Sequence, residues 1–265
     1  MTKADNLKAF FREDGRTVIL PIDHGTAIPV KGLERPGEVI GSLRDSVDGF
    51  VVNLGVAQAC KSELTGKGVC LRTDCYKPVY PGNPDTGPRR LLSCDDAQLL
   101  GAHAVMNMCY PHHPNEMQNF RDCSDLISES LDTQTPVILE SLPIGIGRPD
   151  VYTVETIGFV VRLAAELGAD VVKTAFPVNG SVDDFKAIVD ASLVPVVVLG
   201  GAAMGDDEAL LSMVKNAIDG GASGIAVGRN VWQHSNPLAV AKALRAIVHE
   251  DASVESAMKL IQEWR

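Results

Sequence analysis

Eight short apolar runs, each followed by a stretch of helical spacing, constrain this chain more than any other feature. They are TVILPI (17–22), GFVVNL (49–54), GVCLRTD (68–74), HAVMNMC (103–109), PVILES (136–141), DVVKTA (170–175), PVVVLG (195–200) and GIAVG (224–228). Such alternation is the pattern of parallel strands joined by crossover helices. In VETIGFVVRLAAELGA (154–169), Ile157, Val160, Val161 and Ala164 form one apolar face and Gly168 is placed to cap the C-terminus. DDEALLSMVKNAIDGG (206–221) repeats the design, and both helices stop at Gly just before a β-branched run. Eight units in 265 residues fit a closed (β/α)8 barrel, the TIM barrel, better than an open doubly wound sheet, which more often uses about five to seven strands.

Residues 1–265 are read as a single barrel domain. It carries an N-terminal helix and, from Pro237 onward, two closing helices whose apolar spacing is visible in LAVAKALRAIV and ESAMKLIQEW. One segment breaks the alternation. Residues 76–92 (YKPVYPGNPDTGPRRLL) are rich in Pro and Gly and predict a long loop after the third strand, placed to cover the barrel mouth.

With 34 acidic against 24 basic residues the net charge is −10, which argues against general affinity for nucleic acid or an anionic membrane. A phosphate ligand would need a local pocket. The six cysteines have no CxxC spacing, the start MTKADNLKAFFREDG has no apolar run, and no stretch reaches the ~20 apolar residues that span a bilayer. A soluble cytoplasmic protein with reduced thiols is expected.

In a (β/α)8 barrel the active site lies at the C-terminal ends of the strands. Those ends carry Asp23 and His24, Asn53, Arg72 and Asp74, Asn107 and Tyr110, Glu140, Lys173, Gly200 and Gly201, and Gly228 and Arg229. Lys173 stands out, because an amine inside the apolar run Val171 to Ala175 should point into the barrel and lose hydration. Burial favours a neutral amine, which can attack a carbonyl to give an imine. The same placement would suit a structural lysine paired with Asp23 or Glu140. Gly200-Gly201 and Gly228-Arg229-Asn230 end the seventh and eighth runs, where barrels commonly cradle a phosphate with backbone N–H groups, and Arg229 could add a charged fork. Tight turns alone would also use these glycines.

At ILPIDHG (19–25), RLAAELGADVVKT (162–174), VPVVVLGGA (194–202) and AIDGGASGIAVGRNVWQ (217–233) the chain resembles the archaeal-type class I fructose-bisphosphate aldolases. Their wider group includes a thiolase and the aminodideoxyheptulosonate synthases. The resemblance implies that Lys173 forms a Schiff base, that Asp23 assists near the imine, and that Gly200, Gly201, Gly228 and Arg229 hold a phosphate. It also includes His24, as a substrate contact or as a histidine fixing the first turn. The covalent lysine would replace any cofactor, and a homo-oligomer is expected from the family's habits.

One departure bears on the chemistry. The resemblance leads one to expect a Trp and, two residues on, an acid/base Tyr on the fifth strand; Glu140 and Leu142 stand at those places. Leucine cannot move a proton. Glu140 is the leading replacement, with a carboxyl expected to be raised in pKa by burial, and Tyr110, His112 and His113 are weaker candidates. The adjacent histidines suggest a metal at first sight, but sequence neighbours point apart and no metal site is expected. The expected activity is C–C bond cleavage or formation in a phosphorylated ketose or related keto compound. Thiolase-like acyl transfer on a phosphorylated diketone, a non-catalytic phospho-sugar-binding barrel and an isomerase or epimerase are the alternatives.

Overall fold

The computed structural model describes residues 1–27, 30–75, 87–145 and 147–263. Its barrel strands are β1 (Thr17–Pro21), β2 (Gly49–Val52), β3 (Gly68–Arg72), β4 (Ala104–Cys109), β5 (Val137–Ser141), β6 (Val171–Thr174), β7 (Val196–Leu199) and β8 (Gly224–Ala226). Every neighbour pair is parallel, and β8 closes on β1 through Thr17↔Gly224 and Ile19↔Ala226. Each strand lies inside its predicted run and is shorter by one or two residues. Asn53, Thr73 and Asp74 are among the residues that leave the ladder at the C-terminal ends.

A strand alternates its faces with period two, so each strand sends one set of residues into the barrel and the other under the helices. Ile19, Val51, Cys70, Ala104, Met106, Ile138, Val171, Val197 and Ala226 form the inner apolar cluster, closed at the base by Phe10. A Cβ on Gly49 or Gly68 would lie 2.5 or 2.6 Å from the Phe10 ring, so these strand starts must be glycine for the plug to seat. Two residues further along their strands, Arg72, Glu140 and Lys173 enter the same interior one layer higher.

The helices cover the outside. Thr153 caps Val154–Leu167 in a reciprocal box with Thr156, the helix buries Ile157, Val160, Val161, Ala164 and Ala165, and Gly168 ends it at φ 109°. Asp206 caps Asp207–Asp219, where the left-handed residue is Gly221 (φ 90°) instead of the C-cap Gly220 (φ −77°). The closing helices Pro237–Glu250 and Val254–Glu263 pack on each other and on Asp207–Asp219. His249 ties the first of them to the barrel base, with Nδ1 2.7 Å from Asp14 Oδ2 and Nε2 2.9 Å from Asp48 Oδ2.

The segment after β3 is not purely a loop: Asp74–Cys75 pairs antiparallel with Arg89–Arg90. Residues 76–86, the greater part of the expected cover, lie outside the described residues. Among the described residues no helix is long and apolar enough to cross a membrane.

Candidate active site

Five ionisable side chains meet at the C-terminal end of the barrel interior, none more than 4% exposed: Asp23, Arg72, Asp74, Glu140 and Lys173. Cross-strand register builds the first contact, since Met108↔Glu140 and Glu140↔Lys173 are direct partners. Lys173 Nζ lies 2.8 Å from Glu140 Oε1 and 3.9 Å from Met106 Sδ. The other carboxylate oxygen of Glu140 accepts from Arg72 Nη2 at 2.6 Å. Arg72 Nε donates to Asp23 Oδ2 at 2.6 Å, and Nη1 is 3.4 Å from Asp74 Oδ1. Asp74 Oδ2 accepts the Met108 N–H at 2.7 Å. One guanidinium from β3 thus spans the rim from Asp23, after β1, to Glu140 on β5.

Burial alone would raise the carboxyls, but for two of them the cations win. Against that burial, Arg72, His24 and Lys173 hold Asp23 below the ordinary carboxylate range. Lys173 and Arg72 do the same for Glu140. This corrects the sequence expectation for Glu140, whose pKa is depressed: burial and a pairing with Lys173 can be read from the strands, but the second cation, Arg72 at 2.6 Å, cannot. Asp74 behaves differently. Burial, with Glu140 and Asp23 adding their charge, pushes it up to about 6 even though Arg72 and the Met108 N–H oppose the rise.

The glycine-bearing turns flank this cluster. A Cβ at Gly200 would meet Val227 Cγ1 at 2.7 Å, and one at Gly228 would meet the Pro21 carbonyl oxygen at 2.7 Å, so close packing of the seventh and eighth turns already requires both glycines. Gly201 differs, with φ 65° and open space where a Cβ would stand. Asn230 clamps the seventh turn by donating to the Gly200 and Ala202 carbonyls and accepting the Met204 N–H. Arg229 opens the short helix Arg229–Trp232, and its Nε is buried without a hydrogen-bond partner. It also lines a cavity of about 500 Å³ shared with Asp206, Asp207, Gln233 and His234.

His24 sits between the two halves. Its ring packs edge-on against Trp232 at 5.3 Å, and its Nδ1 stands 3.6 Å from Asp23 Oδ1. Burial, reinforced by Lys173 and Arg229, outweighs Asp23 and lowers its pKa, so the imidazole is neutral at pH 7. Asn53 joins these groups by donating to the Asp23 carbonyl at 2.7 Å, whereas Asn107 faces the helix side, its Nδ2 3.6 Å from Cys123 Sγ.

The weaker candidates fall elsewhere. His112 stacks on Phe159, while His113 Nδ1 accepts the Asn115 N–H, so the two rings serve different neighbours. Leu142 is fully buried and its N–H donates to the Cys109 carbonyl, while the Tyr110 ring packs against Gly145 and lies 6.3 Å from the His113 ring. The sequence places Arg72 and Asp74 at a strand end and gives them no role. The signal was available: an arginine two residues beyond Cys70 in an apolar strand obeys the same parity argument as Lys173.

Comparisons with known proteins agree with this geometry. The sequence profile of the DeoC/LacD family aldolases matches residues 17–234. A class 1 fructose-bisphosphate aldolase of Halobacterium salinarum is 33% identical over 255 residues, covering 92% of this chain and 95% of that protein. A 2-amino-3,7-dideoxy-D-threo-hept-6-ulosonate synthase of the same organism is 31% identical over 252 residues, covering 92% and 91%. The crystal structure of an archaeal fructose 1,6-bisphosphate aldolase superposes with a TM-score of 0.84 at 28% identity, covering 94% of this chain and all of that one. Another archaeal fructose-1,6-bisphosphate aldolase structure, with its catalytic lysine covalently bound to the carbinolamine intermediate, gives 0.83 at 28%, covering 93% and 99%. With the barrel, the buried lysine and the matched span in agreement, this chain belongs to the DeoC/LacD family of aldolases and is a class I, Schiff-base enzyme of that family.

Proposed function

We propose that the enzyme cleaves or forms a C–C bond in a phosphorylated ketose or related keto compound, with Lys173 as nucleophile and Glu140 as proton carrier. The observation that carries the reading is the 2.8 Å contact between Lys173 Nζ and Glu140 Oε1 in the interior of the barrel mouth. Buried ion pairs are weak contributors to stability, because desolvating the charges offsets their attraction. Five such groups clustered at the end of the barrel where active sites sit are better accounted for by chemistry than by folding.

The sequence of steps is conserved in atoms and charge. Lys173 passes a proton to Glu140, and the neutral amine adds to the substrate carbonyl. Glu140 returns the proton to the carbinolamine hydroxyl, which leaves as water and gives the iminium. For cleavage, a base takes the proton of the hydroxyl β to the imine carbon, the bond between the α and β carbons breaks, and the electron pair moves into an enamine. Protonation of the enamine carbon and hydrolysis return Lys173. With leucine at 142, Glu140 is the group already in contact with Lys173 and thus the one suited to these transfers. Asp23, joined to Glu140 through Arg72, supports the developing iminium charge.

At the other end of the substrate, Gly201 offers open backbone and Arg229 a cation, and we assign them the phosphate together with Gly200 and Gly228. His24 lines the path between. The fructose-bisphosphate aldolases among the relatives support a phosphorylated sugar as the substrate class.

Treatment with sodium borohydride in the presence of phosphorylated ketoses, dihydroxyacetone phosphate included, tests the reading. The expected result is a stable adduct mapped by mass spectrometry to Lys173 and absent from Lys173→Met. Turnover retained in that variant would rule out the covalent scheme. Stimulation of turnover by coenzyme A would favour acyl transfer over aldol cleavage.

A further inference from the structure

The rim cluster contains more charge than a lysine and its proton carrier require. Three carboxylates (Asp23, Asp74, Glu140) face two cations (Arg72, Lys173), so full ionisation leaves one excess negative charge in a buried cluster. Arg72 is the hub of the arrangement. Its bonds to Asp23 and Glu140 are both 2.6 Å, whereas Asp74 Oδ1 stands off at 3.4 Å. Asp74 is held from behind by the Met108 N–H, on the residue that pairs with Glu140 in the β4–β5 ladder.

We propose that Arg72 is a positioning residue for the reaction, and that Asp74, acting through Arg72, sets how readily Glu140 accepts the Lys173 proton. The inference rests on Glu140 being the proton carrier and adds the group that tunes it. When Asp74 is neutral, Arg72 and Lys173 act against two carboxylates only, and Glu140 is held firmly as an anion. When Asp74 ionises, its charge competes for Arg72 and raises the negative potential at Glu140, which becomes the better base. The groups facing Asp74 are Arg72 on its own segment, Asp23 after β1, Glu140 on β5, the Met108 N–H on β4 and the Cys123 thiol on the helix Glu116–Thr133, with Arg90 as its antiparallel partner. Its pKa of about 6 puts the change of state just below neutrality.

The test follows the rate of borohydride-trappable imine formed with dihydroxyacetone phosphate in single turnovers across pH, using wild type, Asp74→Asn, Arg72→Lys and Arg72→Gln. In the wild type the rate should climb through an inflection near pH 6. Asp74→Asn, which preserves shape and an acceptor for the Met108 N–H, should lack that inflection and stay near the acid-limb rate. Arg72→Lys and Arg72→Gln should lose about tenfold or more in kcat with KM changed far less, because a point charge or an amide cannot bridge two carboxylates. An Asp74→Asn profile superimposable on the wild type, with adduct formed in both, would overturn the inference and leave the Schiff-base reading standing. An Asp74→Asn profile that keeps its shape and falls evenly would assign Asp74 a structural role and also overturn it. No adduct on the wild type would instead remove the reading beneath the inference.

Discussion

Replacing Glu140 with Gln is the most informative single perturbation, because it separates charge from shape. The carboxylate now accepts from Lys173 at 2.8 Å through one oxygen and from Arg72 at 2.6 Å through the other, in a site 2% exposed. The amide has one oxygen and one NH2, so one of the two cations must face a donor. Removing one partner of a buried ion pair costs about 3–5 kcal/mol. At about 2–4 °C per kcal/mol for a chain near this size, the melting temperature should fall by about 6–20 °C. Loss of a positioned proton carrier should lower kcat by about 10²- to 10⁴-fold. Glu140→Asp, which keeps the charge on a side chain one methylene shorter, should fall between wild type and Gln in both. Thermal unfolding followed by circular dichroism and steady-state turnover on the trapped substrate supply the two readouts. A Glu140→Gln protein that melts within about 2 °C of wild type and turns over within about tenfold would refute both the electrostatic reasoning and the proton-carrier assignment.

Arg229→Ala should raise KM for a phosphorylated substrate by about 10- to 100-fold, as the loss of a hydrogen bond to a charged group implies, with a smaller change in kcat; equal KM values would remove Arg229 from the phosphate site. Phe10→Ala opens a cavity at the barrel base and should cost about 3–5 kcal/mol in urea unfolding, while a cost below about 1 kcal/mol would mean that Phe10 is no plug. His249 gives a pH dependence of stability. Burial works against its charge, but hydrogen bonds to Asp48 and Asp14 prevail and lift its pKa above the ordinary 6.5. A raised folded-state value stabilises fully below about pH 6.5 and loses that contribution as pH climbs through the folded pKa. The urea midpoint of wild type should therefore decline relative to His249→Gln as pH rises above about 6.5; parallel curves would show that the clamp carries no linked proton.

Local pattern was enough to specify the barrel. Period-two apolar runs followed by helical faces ending at Gly168 and Gly220 can be satisfied by few architectures, and eight of them close on themselves. The same periodicity put Lys173 inside, since Val171 and Lys173 must share a face whatever the neighbouring strand is. The motifs around Asp23, Lys173, Gly200-Gly201 and Gly228-Arg229 were legible for the same reason: each is contiguous in sequence. The chain alone left open which carboxylate meets Lys173, and the tertiary structure settles this through the register of β5 on β6. It also left Arg72 without a role, because its partners Asp23 and Glu140 lie 49 and 68 positions away and meet only when the barrel closes. The direction of the Glu140 shift followed from that closure. Burial can be read from an apolar strand, whereas the field of two cations depends on distances that come into being only with the fold.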